Sequence, residues 1–527
     1  MNRTLLSAAV SAALVTLSGG ASAIPLTTYA VNADTVEVRI SGASAQDTSI
    51  EKVLAGLCST GSLNAGFATN QAVYYCNIVP NAVPNSNFAS VAAFTSAFAS
   101  TTPITKLVVY KSSVGGSGNG ANPVANSQAI LTFLNLAGIA ANPTCLGASS
   151  TRGGGLAALP VYTVQVVNIA TGAGNTCGAL TLTPATQIAD AGLSDVEPQL
   201  INVSVPDLPK LTRFEGNALT FGILANVKLR NQLQAAQGLT VGSELAAQQP
   251  NLEPAQITAI LNGTILDFAL LTPPGSATPV PSAPVHLAAR SSGSGTTRVN
   301  NAYFGTDGGQ CHAGVKARRT TNSAVTGATV CATLSGGQAA GGIVLQGAGT
   351  DDVVQCLANL QLADLAAIGI ASTEVSTTLE APTITAAGTN VVSALSSSAS
   401  RFVKIAGRLP SLVNVANGYY GLWGSTSFQY RSGVGNTAIG ADQKVVADTI
   451  VQFLRLPAVL LDINAGITQT WATSVGGFSE TGYLLSPSFA TPTALPLDQT
   501  AILTNPVNGY TKTFGGAQNN CQRGLKF

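Results

Sequence analysis

The chain has 527 residues, and only 9% of them are charged, with 24 Lys and Arg against 23 Asp and Glu. A nucleic-acid-binding protein needs a basic surface that neutralises phosphates, so this composition excludes that class. A chain of this length is too long for one compact core, and we expect two or more folded lobes.

The first 23 residues have the features of a secretory signal peptide. Arg3 supplies the positive start, residues 5–17 form an apolar stretch too short to span a bilayer, and Ala21 and Ala23 form a small-residue cleavage site. We predict cleavage after Ala23 and a periplasmic or extracellular mature protein. No cysteine stands at the cleavage site and no later apolar run is long enough to cross a bilayer, so neither a lipid anchor nor membrane insertion is expected.

All eight cysteines follow the predicted cleavage site. An even number in a secreted chain predicts disulfides rather than thiol chemistry. The pairs that we favour are Cys58–Cys76, Cys145–Cys177, Cys311–Cys331 and Cys356–Cys521. The last four cysteines allow three pairings, and the sequence does not decide between them. No two cysteines have zinc-ligand spacing, and His286 and His312 are isolated, so we predict no metal site.

The first part of the chain repeats a strand, a small-residue loop and a helix. Val36–Ile40 alternates like a strand and leads into a helix over 48–57, whose start is marked by the capping-box pair Thr48 and Glu51. A second unit has a strand at 107–110, a Gly- and Ser-rich loop at 111–120 and a helix near 127–136, and a third strand ends near 192–195. This repetition predicts an α/β fold with mixed, mostly parallel sheets and crossover helices.

Near residues 213–224 the chain is predicted to cross into a second lobe. There Pro254–Leu261 reads as a helix, and a strand at 285–289 feeds a loop and a further helix. The chain returns after 396–400 and forms an amphipathic helix over 443–454. We predict one discontinuous lobe from 24–215 and 405–527, a second lobe from 216–404, and surface insertions at 112–124, 146–155, 305–350 and 374–400.

Three loops join a strand to a helix and carry small polar residues. They are Gly42–Ala45, Gly192–Asp195 and Arg290–Thr296. Backbone N–H groups at a helix start bind anions, and glycine allows close approach of the ligand. The Arg290 guanidinium would supply the charge, with a fork that matches two oxygens of a tetrahedral anion.

In motif and in chain order these loops resemble those of the periplasmic phosphate-binding proteins. Gly42-Ala43-Ser44-Ala45 is similar to their Gly-Ala-Thr-Phe run, Ser194-Asp195 to their Gly-Ala-Ser-Asp loop, and the Arg290 loop to Arg-x-Asp-Gly-Ser-Gly-Thr. Two positions depart from the family pattern. Ser292 stands where the family has the Asp that orients the arginine, and Ala45 stands where it has Phe.

The resemblance implies a two-lobed fold of the type 2 periplasmic-binding-protein class, with a hinge and two chain crossings. It implies capture of phosphate or a related oxyanion between the lobes for uptake, with an ABC permease as the partner, no cofactor and no enzymatic activity. It implies that Asp195 accepts a hydrogen bond from protonated phosphate. The ligand-binding residues that it implies are Ser44, Ala45, Ser113, Asp195, Arg290, Ser294, Gly295 and Thr296. Ser113 is preferred to Ser117, and a monomer is expected.

Three other interpretations stay open. The fold could serve as an extracellular or surface scaffold, which the insertions and the low charge favour. The protein could be a secreted phosphatase or another hydrolase, although the sequence has no GxSxG motif and no histidine placed beside a nucleophile. The ligand could be another oxyanion or a small carboxylate, which Ser292 favours.

Overall fold

A computed structural model describes most of the chain from residue 32 onward. The described ranges are 32–137, 185–319, 342–373, 400–466 and 482–527, with gaps at 60–61, 69, 79–96, 244, 343, 348, 493–494 and 515, together with the strand pieces 150–151, 164–168, 173–177, 383–384 and 390–391. The predicted signal peptide, Cys145, Cys331 and most of the predicted insertions at 146–155 and 374–400 lie outside these ranges.

The strands of the described residues are numbered in chain order. They are β1 Thr35–Gly42, β2 Asn64–Ala68, β3 Gln71–Asn77, β4 Lys106–Ser112, β5 Ser150–Thr151, β6 Val164–Asn168, β7 Ala173–Cys177, β8 Ala191–Ser194, β9 Leu211–Asn226, β10 Asn251–Leu252, β11 His286–Arg290, β12 Val344–Gly347, β13 Ala367–Ser372, β14 Thr383–Ile384, β15 Asn390–Val391, β16 Ser400–Phe402, β17 Lys404–Ile405, β18 Trp423–Arg431, β19 Tyr483–Leu484, β20 Tyr510–Thr511, β21 Thr513–Phe514, β22 Ala517–Gln518 and β23 Leu525–Lys526.

The α-helices of the described residues are numbered in the same way. They are α1 Asp47–Leu57, α2 Ser117–Ala125, α3 Val227–Ala236, α4 Pro254–Leu261, α5 Gly295–Phe304, α6 Thr350–Leu362, α7 Leu412–Ala416, α8 Ala441–Leu454, α9 Pro457–Gly466 and α10 Gln499–Thr504. None of the described helices is long and apolar enough to cross a membrane.

One large mixed sheet organises the fold. Its strand order is β12-β11-β13-β9-β18-β8-β1-β4-β3-β2-β6-β7-β5, with β16 and β19 also paired to β9. The predicted α/β architecture with a mixed sheet is confirmed. The parallel pairs within this sheet join β1 to β4 and β8, and β11 to β12 and β13, which are strands of the repeated strand–loop–helix units. Antiparallel pairs join the other strands of the sheet because hairpins and reversals connect them.

The long strand β9 joins the two halves of the sheet. Its first part pairs with β18 as far as Thr220, and its last part pairs with β13 from Phe221 to Ala225. In the half of the sheet that contains β1, α8 and α9 pack on α1, and α8 also packs on β1. In the other half, α6 covers β11 and β13 and forms a smaller apolar cluster with them.

Alternating burial explains why the predicted elements form. In β1, Val36, Val38 and Ile40 are buried, as the period of two requires. In α8, Val446, Ile450 and Phe453 face the core at helical spacing. The first helix begins at Asp47, so Thr48 lies within the helix and does not act as its cap.

Two sequence predictions around residues 112–136 are wrong. The region 112–124 is not a surface insertion, because it contains α2, in which Ala121 and Val124 are fully buried. The predicted helix at 127–136 is also misplaced, because residues 127–135 are not helical and helical structure begins only at Leu136. The glycines of α2 do not mark a loop here. They let the helix approach the strand ends closely, as the site shows.

The disulfides confirm one predicted pair and overturn another. Cys58–Cys76 is present, with the Cα atoms 5.7 Å apart. Cys311 pairs with Cys521, 210 positions away, so the pairs Cys311–Cys331 and Cys356–Cys521 are wrong. Cys356 is also disulfide-bonded. The fold brings the C-terminal segment beside the loop after α5, a tertiary contact that local spacing does not reveal.

Candidate anion-binding site

Three strand ends meet at one edge of the sheet. Strand β1 runs parallel to β4 and β8, with Ser41 beside Ser112 and Gly42 beside Leu193. The carboxyl ends of parallel neighbours lie at the same edge, so the loops that follow these strands are adjacent. The backbone N–H of Ala43 donates to the carbonyl of Leu193 at 2.9 Å, which joins the Gly42–Ala45 loop to the Gly192–Asp195 loop.

Helix α2 presses its N-terminal turn against these strand ends. A Cβ atom at Gly120 would lie 2.1 Å from the carbonyl oxygen of Leu193, and one at Gly192 would lie 1.7 Å from the carbonyl oxygen of Gly120. Such contacts are impossible for any residue but glycine. The glycines that suggest a loop in the sequence are therefore required by backbone packing at the site.

The loop after β11 meets this edge from the other half of the sheet. The backbone N–H of Gly118 donates to the carbonyl of Gly293 at 2.8 Å. Helix α5 begins at Gly295, and a Cβ atom there would lie 2.5 Å from Ser117 Oγ and 2.7 Å from Asp195 Cβ. The start of α2 therefore contacts the Arg290 loop, and both lie against Asp195.

Asp195 lies at the centre of this contact. It is 2% exposed, its Oδ2 accepts a hydrogen bond from Thr296 Oγ1 at 3.3 Å, and its backbone N–H donates to Ser117 Oγ at 3.1 Å. Burial raises the pKa of the Asp195 carboxyl, whereas the positive charge of Arg290 and the hydroxyls of Thr296 and Ser117 lower it. The carboxyl is thus held in an environment that disfavours its charge.

Arg290 is also buried, at 2% exposure. Its Nη1 donates to Thr350 Oγ1 at 2.8 Å, so the first turn of α6 orients the guanidinium. A Cβ atom at Gly116 would lie 3.5 Å from Arg290 Nη2, which places the loop before α2 beside the other end of the guanidinium. Thr350 belongs to no motif of the sequence, whereas Gly116 lies in the Gly- and Ser-rich loop at 111–120.

Three buried oxygen atoms of the predicted site have no hydrogen-bond partner among the described residues. They are Ser44 Oγ, Ser294 Oγ and Asp195 Oδ1. Buried polar atoms in folded proteins are nearly always paired, because an unpaired one costs about 1–3 kcal/mol. Each of these oxygens could therefore pair with a polar ligand or a water molecule.

The first loop holds the predicted residues Ser44 and Ala45. Ser44 begins a 3-10 turn over Ser44–Gln46, and within the described part of the chain it makes no hydrogen bond to Asp195 or Arg290. Ala45 is buried, and its carbonyl accepts a hydrogen bond from the hydroxyl of Tyr483. Both residues follow Ala43, which is bound to the strand that carries Asp195.

Ser113 belongs to a polar cluster that contacts the first loop. Its hydroxyl donates to the carboxylate of Asp47 at 2.9 Å and accepts from Lys111 Nζ at 2.7 Å. The buried Lys111 also donates to the carbonyls of Gly42 and Ala43 at 3.2 and 3.3 Å, and so supports the first loop from below. Ser117, which the sequence analysis ranks second, is the hydroxyl that contacts Asp195. Ser117 is the first residue of α2, but the sequence analysis assigns it to a loop.

Among the described residues, no three His, Cys, Asp or Glu side chains are grouped as a metal site. His286 is buried in β11, and burial together with the charge of Arg319 lowers the pKa of its imidazole. His312 is bound to Asp307 at 2.7 Å. Neither histidine forms part of the Asp195 contact.

No family model and no curated protein matches the chain. Similar solved structures include a phosphate ABC transporter substrate-binding protein from Clostridium perfringens with bound phosphate, which is 16% identical over 53% of this chain and 77% of its own, with a TM-score of 0.31. An ABC-type phosphate transport receptor from Vibrio cholerae is 13% identical over 52% and 79%, with a TM-score of 0.28. PstS from Borrelia burgdorferi is 11% identical over 53% and 78%, with a TM-score of 0.25. Similarities this low leave the family and the ligand of this chain to be inferred from its own residues.

Proposed function

We propose that the protein is a secreted binding protein that captures phosphate or a closely related tetrahedral oxyanion. The observation that carries this proposal is the contact of buried Asp195 with the Arg290 loop, beside buried oxygens that lack partners. A guanidinium supplies charge and a fork of donors, helix starts supply backbone N–H groups, and a carboxylate accepts a hydrogen bond from a protonated oxygen of the ligand. Phosphate carries both the charge and the proton that such a set requires.

The proposed architecture is two lobes joined by a hinge, 24–215 with 405–527 and 216–404. Two features support it: β18 lies between β8 and β9 in the sheet, and β9 passes from one half of the sheet to the other. Asp195 then belongs to one lobe and Arg290 to the other, and a ligand that contacts both stabilises the closed state. Delivery to an ABC permease in the periplasm is the use that we propose for the captured anion.

Calorimetric titration of the purified mature protein with phosphate, arsenate and sulfate tests the proposal. We expect phosphate and arsenate to bind and sulfate to bind far more weakly, because unprotonated sulfate brings a lone pair towards the Asp195 carboxylate. Absence of binding by all three anions would contradict the proposal.

Two variants sharpen this experiment. Arg290→Ala should weaken phosphate binding by about 2–5 kcal/mol, the usual cost of removing one partner of a buried charged contact. The matched control is Arg213→Ala, which removes an exposed arginine of β9 and should leave the affinity unchanged. A chromogenic phosphate ester should not be turned over, and steady turnover would favour the hydrolase alternative.

A further inference from the structure

A second buried arginine lies behind the Arg290 loop. Arg318 is 8% exposed, and it donates from Nη1 to Thr297 Oγ1 at 3.2 Å and from Nη2 to the carbonyl oxygen of Arg290 at 3.1 Å. The hydroxyl of Thr297 donates to the same carbonyl at 2.9 Å. These three hydrogen bonds tie the two ends of the loop together.

The position of Arg318 is fixed by its own backbone. Its N–H donates to the carbonyl of Thr306 at 2.9 Å, and the next residue, Arg319, donates its N–H to the carbonyl of Leu261 at 2.8 Å. The segment after α5 is therefore held against α4 and α5. The guanidinium of Arg318 is delivered to the loop from a fixed backbone.

Among the described residues, the guanidinium of Arg318 is bound to neutral groups. Both of its acceptors are neutral oxygens, and among the described residues no ion pair includes Arg318. The segment 320–341, which follows it, contains neither Asp nor Glu. Burial, and then the nearby charge of Arg298, lower the pKa of Arg318 to about 10. A buried guanidinium without a counter-charge is costly unless a negative charge binds nearby.

We propose that Arg318 is a positioning residue and a second, non-contacting cation of the anion site, which matches the site to a doubly charged oxyanion. This inference rests on the proposed function. Arg290 and the start of α5 contact the anion, and Arg318 holds their loop from behind and adds charge where water cannot screen it. The ligand class is then the dianion of phosphate or arsenate, taken up without an additional proton.

The test compares Arg318→Met and Arg318→Lys with the parent by calorimetry. Phosphate is titrated, at a pH where it is mostly the dianion in solution, in two buffers of different ionisation enthalpy. The difference between the two heats gives the protons taken up on binding. The matched control is Arg230→Met, which removes a fully buried arginine that donates to the carbonyl of Ser243, away from the site.

We expect the parent to bind phosphate with almost no proton uptake. Arg318→Met should bind about tenfold to a hundredfold more weakly, as for outer-shell partners of bound ions, and should take up close to one proton per phosphate because a positive charge is missing. Arg318→Lys keeps the charge and should keep the parental proton balance. Arg230→Met should lower stability and leave both readouts unchanged.

Four outcomes count against the inference. If Arg318→Met keeps the parental affinity and proton balance, this inference is wrong while the proposed function stands. The same holds if Arg230→Met changes both readouts as much as Arg318→Met does. If Arg318→Met does not fold, a change of proton balance in Arg318→Lys overturns it instead. A parent that binds no oxyanion overturns the proposed function, and this inference falls with it.

Discussion

Removal of the Cys311–Cys521 disulfide should destabilise the protein more than removal of Cys58–Cys76. The first closes a loop of 210 residues and the second a loop of 18. Because a disulfide restricts the unfolded chain, the longer loop corresponds to about 5 kcal/mol of stability at 25 °C and the shorter one to about 3 kcal/mol. The double variants Cys311→Ser/Cys521→Ser and Cys58→Ser/Cys76→Ser form a matched pair.

The assay is urea unfolding followed by circular dichroism, with the free energy of unfolding compared among the parent and the two double variants. Cys521 follows Asn520, whose side chain donates to Glu197 at 2.6 Å, two positions after Asp195. Cys311 follows the helix that begins beside Asp195. The long-range pair thus also joins structures behind the two sides of the proposed site, and its removal should weaken phosphate binding. The reasoning is refuted if the Cys58–Cys76 variant loses as much stability as the other, or more.

Three further substitutions have defined outcomes. Ser117→Ala leaves the buried Asp195 N–H without its acceptor, which should cost about 1–3 kcal/mol of folding stability and also weaken phosphate binding because Asp195 is no longer held in place. Ser113→Ala should lower stability and leave phosphate affinity nearly unchanged. Thermal melting and calorimetry measure the two effects, and a loss of affinity in Ser113→Ala alone would contradict the assignment. Burial raises the pKa of Asp195, so the stability associated with its protonated form is lost as the pH rises above 3.8. Asp195→Asn should therefore raise the melting temperature of the ligand-free protein at neutral pH and reduce the preference for phosphate over sulfate. An unchanged preference would place selectivity elsewhere. Gly120→Ala brings a methyl group against the backbone of β8 and should cost about 3 kcal/mol or more in urea unfolding, and a loss under 1 kcal/mol would show that α2 can move away.

Local pattern was sufficient for most of the elements that carry the site. Period-two burial defines β1, and Pro254 marks the start of α4. The Arg290 loop could be located because a strand, a small-residue loop and a helix follow one another in the sequence. In each case the determining interactions lie within a few residues along the chain.

The glycine-rich segment before residue 125 was predicted wrongly from local pattern. The run from Ser112 to Gly120 has the composition of a loop, yet from Ser117 onward it is helical. The close approach of Gly120 to Leu193 requires glycine for a reason that lies more than seventy positions away in the sequence. Ser117, which begins this helix, contacts Asp195 for the same reason.

The sequence by itself determined the α/β class, the local disulfide Cys58–Cys76 and the loops that hold Asp195 and Arg290. Only the tertiary structure decided that Ser117 contacts Asp195, that Arg318 supports the Arg290 loop and that Cys311 pairs with Cys521. The physical reason is the range of the interactions. Hydrophobic periodicity and helix-start chemistry act between near neighbours, whereas a hydrogen bond or disulfide between distant segments exists only after the sheet has set which strand ends meet.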